Sequence, residues 1–541
     1  MSVPPGRNVG NRPEVGPPQQ PQTQTTRGWK GLNLTDSRLS IEDDELAWCE
    51  NAMIVGKSIQ TLPLYNTEPT RPYNGTPVHV WGGMLTISGT PTPVALIFYA
   101  DGAAYQRNLL TDADVLIAAA GTFGAAVGGA SNKAVALWRD SPVLILDPTA
   151  GYCSWDGATF AVIDATRTGD ALAVFQSRAW LKTAARTVQY TAPNTNSDFA
   201  ALNGAGSFVL TDEVFPGPIR SLHSSVEQLW IVGSEAVDAL GNVATAAGVT
   251  TFSLTNAVKD TGASFVSAVV SWLRAVALLR ANSAYALLGV TPQRISDKID
   301  RLFRAGDTYT SLAGATPWSA IATINGRPVL CFLVSFPSGV LTSSTSAILC
   351  FSDGRWFIVA PGTAPGVGGR VTAILSAPIR SQFAGFDAYG LWAVSVGGYI
   401  YPVFQTAGML GTTLTDPTVF TSGGRGTYKI SSRLHDFGGP LNSHQTFKVG
   451  FDFMAPSDVA SHDVTLSLTT EAETRALAAA TVTMQAVADS PLSFRYGLHR
   501  PSAAIAGQRI GWTITGNCAD RVTLEAAHIQ HTEGREWAGL H

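Results

Sequence analysis

The densest cluster of ionisable residues in the chain is Glu42-Asp43-Asp44-Glu45. Paired carboxylates can exchange protons with a substrate or hold a hard cation, but both uses need a cleft and a fixed separation. Ser40 just upstream is a helix-capping residue, and acids are favoured in the first turn that follows. The run therefore reads as the solvated start of a short helix over residues 40–50. Nine histidines are scattered. His435 and His444 lie nine apart; His528 and His531 lie three apart, a spacing that would put two imidazoles on one helical turn. That region reads as strand, so metal ligation is not expected. The five cysteines, Cys49, Cys153, Cys331, Cys350 and Cys518, form no CxxC pair. They support neither a zinc site nor a disulfide framework. Cys331 and Cys350 sit in apolar runs and read as buried thiols, as suits a reducing compartment.

Nucleophile and phosphate motifs are missing. No GxSxG elbow occurs, the glycines between Gly362 and Gly369 lack a Gly-Lys-Ser/Thr ending, and Gly204-Ala205-Gly206 is not a full dinucleotide fingerprint. Sialidase-type propellers carry Ser-x-Asp-x-Gly-x-Thr-Trp turns. Ser154-Trp155-Asp156-Gly157-Ala158-Thr159-Phe160 and Ser352-Asp353-Gly354-Arg355-Trp356 fall out of that register and read as ordinary Asp-Gly hairpins. No catalytic, cofactor-binding or metal residue is assigned, no cofactor is expected, and the chain is read as a non-enzyme.

The elements that would have to position any chemistry follow from composition and periodicity. The chain has 541 residues, with Lys+Arg 36 against Asp+Glu 40, a net charge of −4. Only 14% of residues are charged and 45% are apolar, against about 25% charged in an ordinary soluble domain. The balance excludes a wholly electrostatic nucleic-acid binder, and the apolar content excludes a disordered chain. Sparse charge suggests surface hidden against other subunits. Met1–Arg27 has no apolar core of the signal-peptide kind. Val115–Asn132 is built mostly of Ala and Gly, and reads as strands and a turn rather than a membrane span. A soluble chain without a membrane-spanning segment is expected.

Four regions follow. Residues 1–27, rich in Pro and Gln, read as an extended or disordered arm. Residues 28–75 read as a connecting segment with the short helix and a strand near Ser58–Leu62. Residues 76–422 repeat short apolar runs, such as Val143-Leu144-Ile145-Leu146 and Val329-Leu330-Cys331-Phe332, between Asp-Gly and Gly-Gly turns. About six or seven units of some 40–55 residues each suit the four-stranded blades of a β-propeller. A two-layer sandwich array is the competing arrangement. Phe265–Leu288 fits either a helix or two strands turning near Ala281-Asn282-Ser283, and 295–303 reads as a short helix. After Gly423-Gly424-Arg425-Gly426, strict alternation over residues 423–541 reads as a C-terminal β-sandwich. The fold class is mainly β.

Several blocks resemble a known family. Gly28-Trp29-Lys30-Gly31-Leu32-Asn33-Leu34-Thr35-Asp36-Ser37, the acidic run and Glu50-Asn51-Ala52 resemble the opening of bacteriophage tail proteins. Val174-Phe175-Gln176-Ser177-Arg178-Ala179-Trp180-Leu181, then Val188-Gln189-Tyr190-Thr191-Ala192-Pro193 and Ser197-Asp198-Phe199, resemble one of that family's blades, with Ala192 where its serine stands. Gln293-Arg294-Ile295-Ser296-Asp297-Lys298-Ile299 and Leu434-His435-Asp436-Phe437-Gly438 continue the likeness in order. The family is the tail nozzle, or tail hub and DNA-stabilisation protein, of short-tailed phages. The resemblance implies a propeller plus platform and a homohexameric ring in the virion tail, made in the host cytoplasm. It also implies a channel for double-stranded genomic DNA, with a tail adaptor ring and fibres or spikes as neighbours. A receptor-binding or polysaccharide-cleaving propeller tail protein is the alternative.

Overall fold

The computed structural model describes residues 20–35, 37–65, 70–124, 133–225, 227–272, 275–288, 291–304, 317–342, 345–361, 370–381, 385–404, 426–437, 444–456, 459–471, 473–486, 494–518 and 521–533. The expected linker glycines 423–424, the Gly362–Gly369 stretch, residues 1–19 and 125–132 lie outside the described residues. Among those described, helix is confined to three short 3-10 pieces, and the rest of the regular structure is strand.

Five sheets of four antiparallel strands follow one another from Pro77 to Arg294, each strand paired with its sequence neighbour. A sixth four-stranded unit runs from Trp318 to Val359, and a three-stranded seventh sheet spans Val371–Ser381, Gly385–Ser395 and Ile400–Pro402. The first strand of each faces a common axis, which settles the architecture as a β-propeller and not a sandwich array. Thr70 bridges Ile400 and Leu64 bridges Phe404, so the chain before the first blade closes the last one. Arg107 secures that closure. Its fork lies on Asp114 at 2.8 and 2.7 Å, and Nη1 donates to the Thr70 carbonyl at 3.0 Å.

The turn chemistry is partly the one expected. Asp353 (φ 50) and Gly354 (φ 75) make a two-residue turn that pairs Ser352 with Arg355. Two successive positive φ values match the right-handed twist of the flanking strands. Asp156-Gly157 instead sits in a wider loop, where Asp156 Oδ1 accepts the Ala158 and Thr159 amides at 2.8 and 2.7 Å. Ala275–Arg280 and Ser283–Leu288 are two strands, so the helical alternative for that stretch falls. Asp297–Phe303 is helical, in 3-10 form.

Residues 40–50 are not a helix. Glu45–Glu50 is a strand, with the acidic run in the turn before it. Leu46, Cys49 and Glu50 are all buried. A strand inserted between two others buries both faces, and tertiary pairing overrides a local capping pattern. This strand joins the two domains. Its Glu50 pairs in parallel with Ile358 on the outer strand of the sixth blade, and its other edge pairs with Thr427–Ser432. One sheet thus runs from the propeller into the platform through Ile510–Asn517 and Ser461–Thr470.

The platform is a two-sheet sandwich, but residues 426–533 do not complete it alone. Ala52–Val55 and Ser58–Thr61 extend its second sheet on Thr523–Glu533. Gln22–Thr26 pairs with the same strand, from Gln22 opposite His531 to Thr26 opposite Ala527. The arm is therefore structured from Gln22 onward, and residues 22–61 belong to the platform. Trp29 and Trp512 meet edge to face at 5.7 Å in the sandwich core, beside Phe451.

Candidate functional site: the axial cavity and the propeller–platform joint

A cavity of about 510 Å³ lies on the propeller axis, lined by the first strands of all seven sheets. His79, Lys133, Asp170 and His223 bring the ionisable groups into it. The His79 ring sits 5.7 Å from Phe98 and 5.5 Å from Trp318. Burial disfavours the charged imidazolium, and it pulls His79 down to about 3 and His223 down to about 4. Both rings are neutral at pH 7. Lys133 donates to the Gly124 carbonyl, and its Nζ is 3.4 Å from Asp147 Oδ2. Asp170 pairs with Lys182 at 2.6 Å. Asp170 is the sole carboxylate among the described lining residues. Glycoside hydrolysis by a carboxylate pair needs two such groups about 5–9.5 Å apart, so that chemistry does not fit this cavity. The arrangement can hold a small, neutral, polar molecule.

The residues singled out in the sequence are dispersed. In the acidic run, Glu42 and Asp44 grip Lys30, with Asp44 at 3.1 Å. Asp43 lies 3.0 Å from Arg433 Nη1 and 3.5 Å from His435 Nδ1. Glu45 accepts Lys298 Nζ and Asn33 Nδ2, each at 2.6 Å. Its carboxyl is held below the ordinary range because these donors and the Glu42 amide outweigh the opposing effect of burial. The run is a clasp between the N-terminal segment, the platform and the 3-10 helix.

His528 and His531 lie in the Thr523–Glu533 strand. His528 Nε2 meets Asp452 Oδ2 at 3.0 Å, and its Nδ1 meets Thr25 Oγ1 at 2.9 Å. His531 stacks on Phe437 at 3.9 Å, with His444 5.4 Å from it and His435 6.1 Å from Phe437. This is a buried aromatic cluster. Among the described residues no three His, Cys, Asp or Glu side chains are grouped to hold a metal ion. All five cysteines are free and buried. Gly204 serves structure: its carbonyl accepts Arg178 Nη1 at 2.9 Å.

The Glu50-Asn51-Ala52 block occupies the joint itself. Glu50 is fully buried and accepts Trp48 Nε1 at 2.9 Å and the Thr342 amide at 2.9 Å. Asn51, also fully buried, has φ 54 and bonds both domains. Its Oδ1 accepts the Ala360 amide at 2.7 Å, and its Nδ2 donates to the Thr427 carbonyl at 2.8 Å. His79, Lys133 and His223 carry no local motif. Their one shared signal is position, on or just before the first strand of a repeat.

A buried acid elsewhere in the propeller gives a pH prediction. Asp238 is fully buried, accepts Asn256 Nδ2 at 2.8 Å through Oδ1, and is pushed up to about 6 by burial. A folded pKa above the unfolded one means that the folded state binds the extra proton between about pH 4 and 6. Stability from this group is full below about pH 4 and is lost as pH rises through 6. Asp238→Asn keeps the Oδ1 acceptor and removes the charge. It is expected to stabilise the protein at pH 7.5 by about 1–3 kcal/mol and to leave it unchanged at pH 4. Denaturant melts of both proteins at the two pH values check this.

A scan against protein-family models finds no match, and neither does a search of curated proteins. Among solved structures, the chain is similar to the N-terminal domain of Nup159, at 11% identity and a TM-score of 0.25, over 57% of this chain and 72% of that one. It is also similar to AofleA from Arthrobotrys oligospora, at 8% identity and a TM-score of 0.30, over 69% of this chain and 90% of that one. At these values the likenesses bear on neither function nor partners. The propeller is read from its own strand order and from the seven strands that meet on its axis.

Proposed function

We propose that the chain is a structural, non-catalytic virion protein that forms the tail nozzle of a short-tailed bacteriophage. In this reading six copies make a ring that conducts and retains double-stranded genomic DNA. The ring docks under a tail adaptor and carries fibres or spikes. The observation that supports it is the joint. The block that resembles the family's opening, Gly28 to Ala52, is the segment that fuses a propeller to a sandwich platform through the Glu45–Glu50 strand. A chain of low charge density also suits a ring subunit with buried flanks and a wall that does not hold its cargo, since each cation on a phosphate adds affinity.

The test combines imaging with truncation. Negative-stain images of the purified protein or of particles are expected to show six-fold rings. Monomers at all concentrations, together with absence from particles, would sink the reading. Strand Gln22–Thr26 fixes where to cut. Removing residues 1–20 is expected to leave melting unchanged and to weaken ring formation or incorporation. Removing 1–27 also strips a five-residue ladder from Thr523–Glu533, which is expected to cost about 1–3 kcal/mol of platform stability. If the 1–20 deletion assembles and incorporates like the intact chain, the arm has no part in assembly.

A further inference from the structure

In each of the seven propeller sheets the first strand pairs on one edge only, with the second strand of its own sheet. The other edge faces the axis. A ring of main-chain N–H and C=O groups that no ladder uses therefore surrounds the cavity of about 510 Å³. Such groups need partners. A few find them between sheets. Ser271 Oγ donates to the Ser224 carbonyl at 3.1 Å, Ser319 Oγ to the Ser267 carbonyl at 3.2 Å, and Ser267 Oγ to the Pro317 carbonyl at 2.7 Å. Hydroxyls that donate in this way keep their oxygen lone pairs.

The side chains at the wall add neutral groups. His223 is half-buried, yet burial pulls it down to about 4. Its ring lies deep in the propeller with part of its surface open to the cavity, and no hydrogen bond holds it among the described residues. The neutral imidazole offers one donor and one acceptor. Ser221, at 7% exposure, also lines the space, and its hydroxyl has no partner. A turn about χ1 re-aims such a hydroxyl at low cost. The charged groups at the wall are already paired, Lys133 with Asp147 and Asp170 with Lys182. The second and third sheets contribute an apolar arc through Ala134–Leu137 and Ala171–Phe175, and the rings of Trp81 and Trp318 complete the lining.

We propose that the axial cavity binds a neutral hexopyranoside, with one face of the sugar ring on the apolar arc and its hydroxyls on the open strand edges and the His223 imidazole. A pyranose has apolar C–H faces and a rim of hydroxyls that both donate and accept, as do the alternating N–H and C=O groups of a strand edge. An anion would meet oxygen lone pairs and a lysine that is already paired. A cation would give up its water for a wall whose one carboxylate is taken. A wholly apolar ligand would leave the strand edges dry. The volume lies within the range of about 300–1,000 Å³ found for ligand pockets. With one carboxylate among the described lining residues, the sugar is bound and released unchanged. The cavity belongs to a single copy of the chain, so the inference stands apart from the ring.

The test titrates the full-length protein with the methyl glycosides of glucose, galactose and mannose, with glucuronate as the charged control and cyclohexanol as the apolar one. Calorimetry is expected to show at least one glycoside binding with millimolar Kd or tighter, and both controls at least tenfold weaker. His223→Phe keeps a ring and removes its donor and acceptor, and is expected to weaken binding about tenfold. Ser224 stands exposed at the end of Ile219–Ser224 and lines the cavity. Ser224→Trp is therefore expected to obstruct the cavity and abolish binding. Circular dichroism melts confirm that both variants fold. If neither does, the His223 ring signals of histidine-labelled wild type decide: a shift on titration supports the site, and none overturns it. A polymer ending in the preferred sugar separates two sources. Binding of both names a chain end, and binding of the small glycoside alone names a free sugar. No glycoside bound at tens of millimolar overturns the proposal. So does glucuronate or cyclohexanol binding as tightly as the sugars, or unchanged affinity in both folded variants.

Discussion

Replacing Asn51 by alanine is expected to destabilise the protein by about 3–5 kcal/mol. Two effects add. The side chain satisfies one buried donor and one buried acceptor, the Ala360 amide and the Thr427 carbonyl. Alanine orphans both in a fully buried place, at about 1–3 kcal/mol each. The backbone stands at φ 54, a region that asparagine tolerates and alanine enters at a cost of about 1 kcal/mol or more. Two controls separate the contributions. Asn51→Gly relieves the backbone term and keeps the orphans, so it is expected to recover about 1 kcal/mol. Asn51→Asp keeps the acceptor but turns an oxygen toward the Thr427 carbonyl, and is expected to lose as much as alanine does. Asn51→Ala is also expected to separate propeller and platform into two unfolding transitions, because the residue bonds one partner in each. Denaturant melts followed by tryptophan fluorescence read both effects. A loss under about 1 kcal/mol in a single transition would show that the joint rests on its strand pairing alone.

The architecture was readable because its signals are local. A run such as Val143-Leu144-Ile145-Leu146 must be a strand covered on both sides. In the fold it is buried at every residue, between the first and third blades. Repetition of such runs is what a propeller writes into its sequence. What stayed hidden is non-local. The acidic run has every mark of a helix start, and only the pairing of Trp48 with Ser431 and of Glu50 with Ile358, several hundred residues away, makes the following segment a strand. No local pattern announces a strand that completes another domain's sheet. The same holds for Gln22–Thr26, whose polar composition reads as free chain until Thr523–Glu533 supplies its ladder. The axial cavity is the extreme case. His79, Lys133 and His223 meet on the axis because each stands at the head of a repeat. Sequence spacing does not carry that fact. By contrast, the resemblance blocks at Gly28–Leu34 and Glu50–Ala52 lie where the two domains meet, which gives their residue types a physical reason independent of any family. Trp29 fills the sandwich core, Asn33 orients Glu45, and Asn51 bridges the joint.

Lys133→Met is expected to cost about 3–5 kcal/mol, while adding Asp147→Asn to it restores most of the loss. Lys133 and Asp147 are both buried, at 2% and 0% exposure. Burial pushes the Lys133 ammonium below its ordinary range, and Asp147 opposes that shift. A buried pair draws little net stability from its attraction, because each charge has lost its water. Removing one partner strands the other charge, and that is the expensive state. The geometry says how the stranded state is relieved. Asp147 Oδ1 accepts the Gly124, Thr149 and Ala150 amides at 3.2, 2.7 and 2.8 Å, whereas Oδ2 faces Lys133. Asparagine keeps the first oxygen for those amides and carries no charge into the gap, so Lys133→Met with Asp147→Asn leaves a neutral, largely satisfied site. The pair also ties the end of the first blade to the second, since Gly124 receives Lys133 on its carbonyl and gives its amide to Asp147. The single variant is therefore expected to loosen the contact between those two blades before the rest, visible as faster amide exchange in Val143–Asp147. Equal stability of the wild type and the Lys133→Met protein would mean that removing Lys133 strands no charge, and that the pair does not tie the two blades. Failure of the second substitution to rescue would place the loss in packing rather than charge.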